Sequence, residues 1–147
     1  MRGVSLAAPI AAIFMLAGCA GDMVEPDEIR FHADLGGAQE VPPVDTVASG
    51  RARIWYKRST STLTWTIDYQ SLSAPMTAAH FHGPAAPGSN AGIQVPIASG
   101  PMPSPISGAA VLTRMQEADL VAGRYYINIH TQKNPGGEIR GQVIAAP

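Results

Sequence analysis

Disulfide bonding is the first stabilising device this 147-residue chain lacks. It holds a single cysteine, Cys19, so no internal disulfide can form and no four-cysteine zinc cage can be built. Charge is scarce too: charged residues make up 14% of the chain, the net charge is −1, and no basic run occurs. Nucleic-acid binding calls for a basic stripe, so that class of partner is excluded. The one long apolar run, Val4 to Leu16, falls short of the roughly 20 residues that cross a bilayer as a helix. There is no Gly-X-Ser-X-Gly nucleophile motif. Stability must come from core packing, with a metal ion as the other staple open to so small a domain.

What is present begins with an address. Met1-Arg2 gives a short positive start, the apolar run follows, and Leu16-Ala17-Gly18-Cys19 closes it with small residues. That order describes a secretory signal. The last four residues resemble the lipobox of bacterial lipoproteins, whose cysteine is acylated and becomes the mature N-terminus. Residues 1–18 therefore read as a lipoprotein signal peptide and Cys19 as the lipidation site that takes palmitate. Residues 19–28, acidic and broken by proline, read as a tether. Loss of Arg2 would move the formal charge to −2. In enteric bacteria an aspartate after the cysteine favours the inner membrane; Ala20 points by the same resemblance to the outer one. The expected location is the cell envelope, periplasmic or surface-facing, with the membrane reached through the lipid.

With 15 glycines and 13 prolines the rest should hold many turns and few helices. From Ile29 onward the hydrophobic period is two, the mark of half-buried strands. Ile29, Phe31, Ala33 and Leu35 share one face. Ala52, Ile54 and Tyr56 alternate with Arg51, Arg53, Trp55 and Lys57. Leu63, Trp65, Ile67 and Tyr69 then alternate with threonines, which makes 51–69 the clearest hairpin. Further strands are expected over 76–82, 93–97 and 106–112, and a last hairpin pairs 124–131 with 138–145. Thr113 and Gln116 fit a capping box and Gly123 a helix stop, enclosing one short helix. The 29–147 segment is thus expected to be an all-β, antiparallel Greek-key sandwich with one helix, or else a closed barrel.

Four motifs then occur in order. They are Gln39-Glu40-Val41-Pro42-Pro43, Ala79-His80-Phe81-His82-Gly83-Pro84, Asn128-Ile129-His130-Thr131 and Gly137-Glu138-Ile139-Arg140-Gly141-Gln142-Val143. Together they resemble the CHRD (chordin-type) domain, over roughly Phe31 to Val143. The resemblance implies an immunoglobulin-like sandwich, distantly similar to copper–zinc superoxide dismutase. It implies little about molecular role.

His80 and His82 stand two apart on a strand, so both imidazoles leave one face. His130 lies on another strand, on the face of Tyr126 and Asn128. If those strands are neighbours, three nitrogens converge on one ion, and imidazole suits copper or zinc. His32, between Arg30 and Asp34, is expected in solvent, and Met76, Met102 and Met115 as packing. Dismutase activity would need more histidines, an aspartate and a disulfide than the chain offers, so no enzyme is expected.

Glu138 and Arg140 share a face of the last strand, and the Val41-Pro42-Pro43 turn brings Glu40 toward them. A buried arginine needs a carboxylate, so Glu40, Glu138 and Arg140 read as a structural charge pair fixing strand register. Arg51, Arg53 and Trp55 line one face beside the threonines, a surface for an acidic glycan or headgroup. The expected function is a lipid-anchored extracytoplasmic binding module with a three-histidine copper or zinc site. The alternative is a protein- or glycan-binding adhesion module whose histidines are structural, capping a polar sheet face or hydrogen-bonding the Gly83–Gly92 loop.

Overall fold

The computed structural model describes residues 26–147. The lipobox, Cys19, Ala20 and most of the tether lie outside them. Nine strands and one α-helix follow in order: β1 (Glu28–Gly36), β2 (Ser49–Lys57), β3 (Thr62–Gln70), β4 (Met76–His82), β5 (Ile93–Ser99), β6 (Ile106–Val111), α1 (Arg114–Val121), β7 (Tyr126–Thr131), β8 (Ile139–Gln142) and β9 (Ile144–Ala145). No helix among the described residues is long and apolar enough to cross a membrane.

Hydrogen bonding runs in the order β5-β4-β7-β8-β1-β2-β3-β6, all antiparallel, with β9 added on β1. Two four-stranded halves meet where β8 touches β1 at a single pair, Gly36 with Arg140. The edge strands β5 and β6 are not paired with each other, so the barrel is nearly closed and sandwich-like. The two architectures expected from periodicity are here one object. Connections from β3 to β4, from β5 to β6 and from β6 to β7 cross between the halves, which is the Greek-key element.

Alternation places the core as expected. Ala52, Ile54 and Tyr56 of β2 and Leu63, Trp65 and Ile67 of β3 are all buried. From the other half come Phe81, Ile127, Ile129 and Ile139. The halves interlock where Trp65 meets Phe81 edge-on, ring centroids 5.3 Å apart at 70°. The helix is capped as its sequence predicts: Gln116 N–H donates to Thr113 Oγ1, and Thr113 N–H donates to Gln116 Oε1.

The last hairpin is shorter than its hydrophobic pattern suggests. Only Ile139–Gln142 pairs with β7; at Val143, whose N–H donates to Tyr125 O, the chain leaves that ladder. Ile144 and Ala145 then pair with His32 and Phe31 of β1. The split follows from Gly141, where a Cβ would lie 2.5 Å from the Asp34 carbonyl oxygen. Only glycine lets β8 pass β1 so closely.

Candidate metal centre

Register brings the three histidines together. On β7, His130 pairs with Ala78 and Asn128 with His80, so the third imidazole rises from the strand beside β4. The inner faces of the same strands carry Ala79, Phe81, Ile127 and Ile129, all fully buried. The period of two therefore sends His80, His82 and His130 to the outer face. One nitrogen from each lies within 4.8 Å of the other two. Ring centroids stand 5.5, 5.2 and 5.9 Å apart.

Backbone carbonyls set the tautomers. His82 Nδ1 lies 3.0 Å from Ala91 O and His130 Nδ1 lies 3.0 Å from Pro135 O. A carbonyl only accepts, so both Nδ1 atoms carry hydrogen and both Nε2 atoms keep a lone pair. His82 Nε2 is buried with no partner. His130 Nε2 accepts from His80 Nδ1 at 3.3 Å. Burial lowers the pKa of all three imidazoles; mutual repulsion adds to this at His80, while the Ala91 and Pro135 carbonyls oppose it at His82 and His130. The rings are thus neutral near pH 7, the form that ligates a cation. His82 is buried, whereas His80 and His130 are half-buried and leave an approach from solvent.

Loops make this outer face a second interior. The His82 ring lies flat on Tyr126, centroids 5.0 Å apart at 6°. The Tyr126 hydroxyl accepts from Ala91 N at 3.1 Å and donates to Ala91 O at 3.3 Å. Over the Tyr126 ring sits Arg140, its Cζ 3.4 Å from the centroid.

The expected charge pair is not an ion pair. Arg140, 2% exposed, donates to Ser89 O at 2.6 Å and Asn90 Oδ1 at 3.0 Å, and makes no salt bridge among the described residues. Glu138 takes four neutral donors instead: Thr46 Oγ1, Ser73 N, Ser73 Oγ and Thr131 Oγ1, at 2.7 to 2.9 Å. Burial alone would raise its pKa, but these bonds outweigh it and hold the carboxyl low. Hydroxyls and loop carbonyls satisfy both buried charges where the sequence suggested that the charges satisfy each other.

Glu40 is solved differently again. Its Oε2 accepts from Asn128 Nδ2 at 3.3 Å, which leaves Glu40 Oε1 and Asn128 Oδ1 buried without partners. Both crowd one point: a Cβ on Gly137 would meet them at 2.6 and 2.3 Å. With φ at +132°, Gly137 is required by conformation as well as by space. Two acceptors facing one point disfavour a charge on Glu40, and a proton on Oε1 would relieve that. Burial pushes the Glu40 carboxyl up to about 7, against the opposing pull of Arg140, in keeping with that proton.

Arg51, Arg53 and Trp55 lie along the outer side of β2 as expected. Arg51 pairs with Asp34 at 2.8 Å and Arg53 with Asp68 at 3.1 Å across neighbouring strands, both more than half exposed. Such pairs contribute about 0–1 kcal/mol, and they leave the patch charge-balanced. His32 stands on β1 opposite Arg53, apart from the histidine cluster, and Met76 belongs to the core. The bond from His82 to Ala91 O is the expected contact between the paired histidines and the 83–92 loop. Asn90 and Pro135 were missed, because they act through a side-chain amide or loop backbone and carry no residue-type signal. Tyr126 was visible only as a face-mate.

A raised folded-state pKa makes Glu40 favour the folded state below its unfolded value of 4.5, an advantage lost as pH rises through about 7. Glu40→Gln supplies a permanent N–H in place of the titrating proton. Its melting temperature should fall less than that of the wild type between pH 5 and pH 8; equal slopes would show that Glu40 is ionised throughout.

The CHRD domain family matches residues 31–143, a span that holds the whole histidine cluster and its supporting loops. No curated protein and no solved structure matches the chain. Four motifs in order, the fold they build and a match over most of the length agree: this chain belongs to the CHRD domain family.

Proposed function

We propose that the protein is a lipid-anchored binding module of the cell envelope, at the outer membrane by the resemblance at Ala20, whose His80, His82 and His130 hold copper or zinc. It binds rather than catalyses. The observation that carries the metal reading is the orphaned, buried Nε2 of His82, aimed at a space that two further imidazole nitrogens border. Two ligands about 2.05 Å from a tetrahedral ion stand roughly 3.3 Å apart. The His80 Nδ1 to His130 Nε2 distance is 3.3 Å, so that pair needs little movement to become ligands. Carbonyl-bound Nδ1–H groups on two of three ligands are the usual outer-shell support of a histidine metal site. Three protein ligands leave a fourth position for water or a partner's donor atom.

The anchor rests on Leu16-Ala17-Gly18-Cys19. Cys19→Ser should move the protein from the membrane pellet to the soluble fraction and abolish palmitate labelling; retention in the pellet would remove the lipid from this account.

Protein purified without a histidine tag should carry about one copper or zinc per chain, read by elemental analysis, and His82→Ala should lose it. Each imidazole is less protonated folded than unfolded, so the metal-free fold weakens as pH falls below 6.5, and protons displace the ion over the same range. Metal-free protein whose melting temperature ignores added copper and zinc would leave the histidines structural, as in an adhesion module.

A further inference from the structure

We infer that Arg140 is a positioning residue for the histidine site, holding the 83–92 loop so that the Ala91 carbonyl aims His82 Nε2. The inference rests on the metal reading above and adds a residue that touches no ligand atom. Its starting point is a buried cation with no salt bridge among the described residues. Arg140 is 2% exposed, and its guanidinium is committed to the loop, through Ser89 O at 2.6 Å and Asn90 Oδ1 at 3.0 Å. A buried charge spent on a loop fixes that loop, because removing it strands both loop acceptors and the space the guanidinium filled.

The residue after Asn90 is Ala91, whose carbonyl accepts from His82 Nδ1 at 3.0 Å. Asn90 is held from its other side as well, donating from Nδ2 to Val41 O at 3.2 Å. A second route runs through Tyr126: Arg140 covers its ring, His82 stacks on that ring, and its hydroxyl clamps both backbone atoms of Ala91. The loop and the ring thus carry the same constraint to one imidazole. Neighbouring registers explain why one arginine reaches both: Arg140 pairs with Asn128 on β7, and Tyr126 of β7 pairs with His82 on β4. The planar fork is needed, since lysine is a point charge that cannot hold two divergent acceptors in fixed geometry.

The test titrates zinc into full-length wild type, Arg140→Lys and Asn90→Ala, with His80→Ala as a ligand-loss control. Loss of outer-shell support costs about 10–100-fold in metal affinity. Arg140→Lys should lose that much while keeping one site per chain. Asn90→Ala, an exposed loop change that leaves the core intact, should lose less in the same direction. Wild-type affinity in both variants overturns the inference. A separate readout needs no metal: the His82 Nδ1–H imidazole proton should be protected in NMR spectra of the wild type and exposed to exchange in Arg140→Lys. Equal protection in a folded Arg140→Lys also overturns it. A wild type that takes up no zinc or copper, yet shows this loss of protection, refutes the metal reading and leaves the positioning of His82 by Arg140 standing.

Discussion

The register of β4 against β7 is the constraint on which the rest of this domain depends. A strand shows its side chains to alternate faces, so a slip of one residue on β4 would turn His80 and His82 into the core and Ala79 and Phe81 out of it, and a slip on β7 would do the same to His130 against Ile127 and Ile129. Burial of Phe81, Ile127 and Ile129 holds the register with several kcal/mol of hydrophobic stabilisation, at roughly 1.5–3 kcal/mol per large side chain. The histidine cluster comes with it. Core packing on one face thereby specifies polar geometry on the other, without any interaction among the histidines having to supply the energy.

That polar face is itself covered. Tyr126, Asn128 and Arg140 are nearly as inaccessible as the core, because the 83–92 loop and the Glu40 turn close over them. A sheet buried on both faces must find partners for the polar groups on its loop side, and three devices do most of this. Glu138 uses neutral donors, Arg140 uses loop acceptors, and Glu40 Oε2 accepts from the Asn128 amide. Among the described residues on this side, Glu40 Oε1, Asn128 Oδ1 and His82 Nε2 are left buried without a hydrogen-bond partner. For the His82 lone pair, the partner proposed above is a metal ion shared with His80 and His130.

Much of the fold was legible in the sequence because period-two patterning is a local signal. The Arg51–Tyr69 hairpin, the Thr113 cap and the outward faces of His80, His82 and His130 all follow from spacing alone. The adjacency of β4 and β7 does not, since it depends on a Greek-key crossing that no local pattern encodes. The crossing of the chain at Val143 was hidden for a similar reason: Ile139 to Ala145 alternates like one strand, and the steric demand at Gly141 comes from β1, more than a hundred residues earlier. The partners of Arg140 and Glu138 were missed because pairing opposite charges is the simplest sequence inference. The structure instead spends backbone carbonyls and hydroxyls, which every sequence has in abundance.

The central claim is that three imidazoles, already aimed by their surroundings, form the first coordination sphere of a metal ion. X-ray absorption spectroscopy of the copper- or zinc-loaded full-length protein reads that sphere directly. The account predicts three nitrogen scatterers at about 2.0–2.1 Å with the outer-shell pattern of imidazole rings, plus one exchangeable ligand such as water. A shell of oxygen donors without imidazole scattering would contradict it.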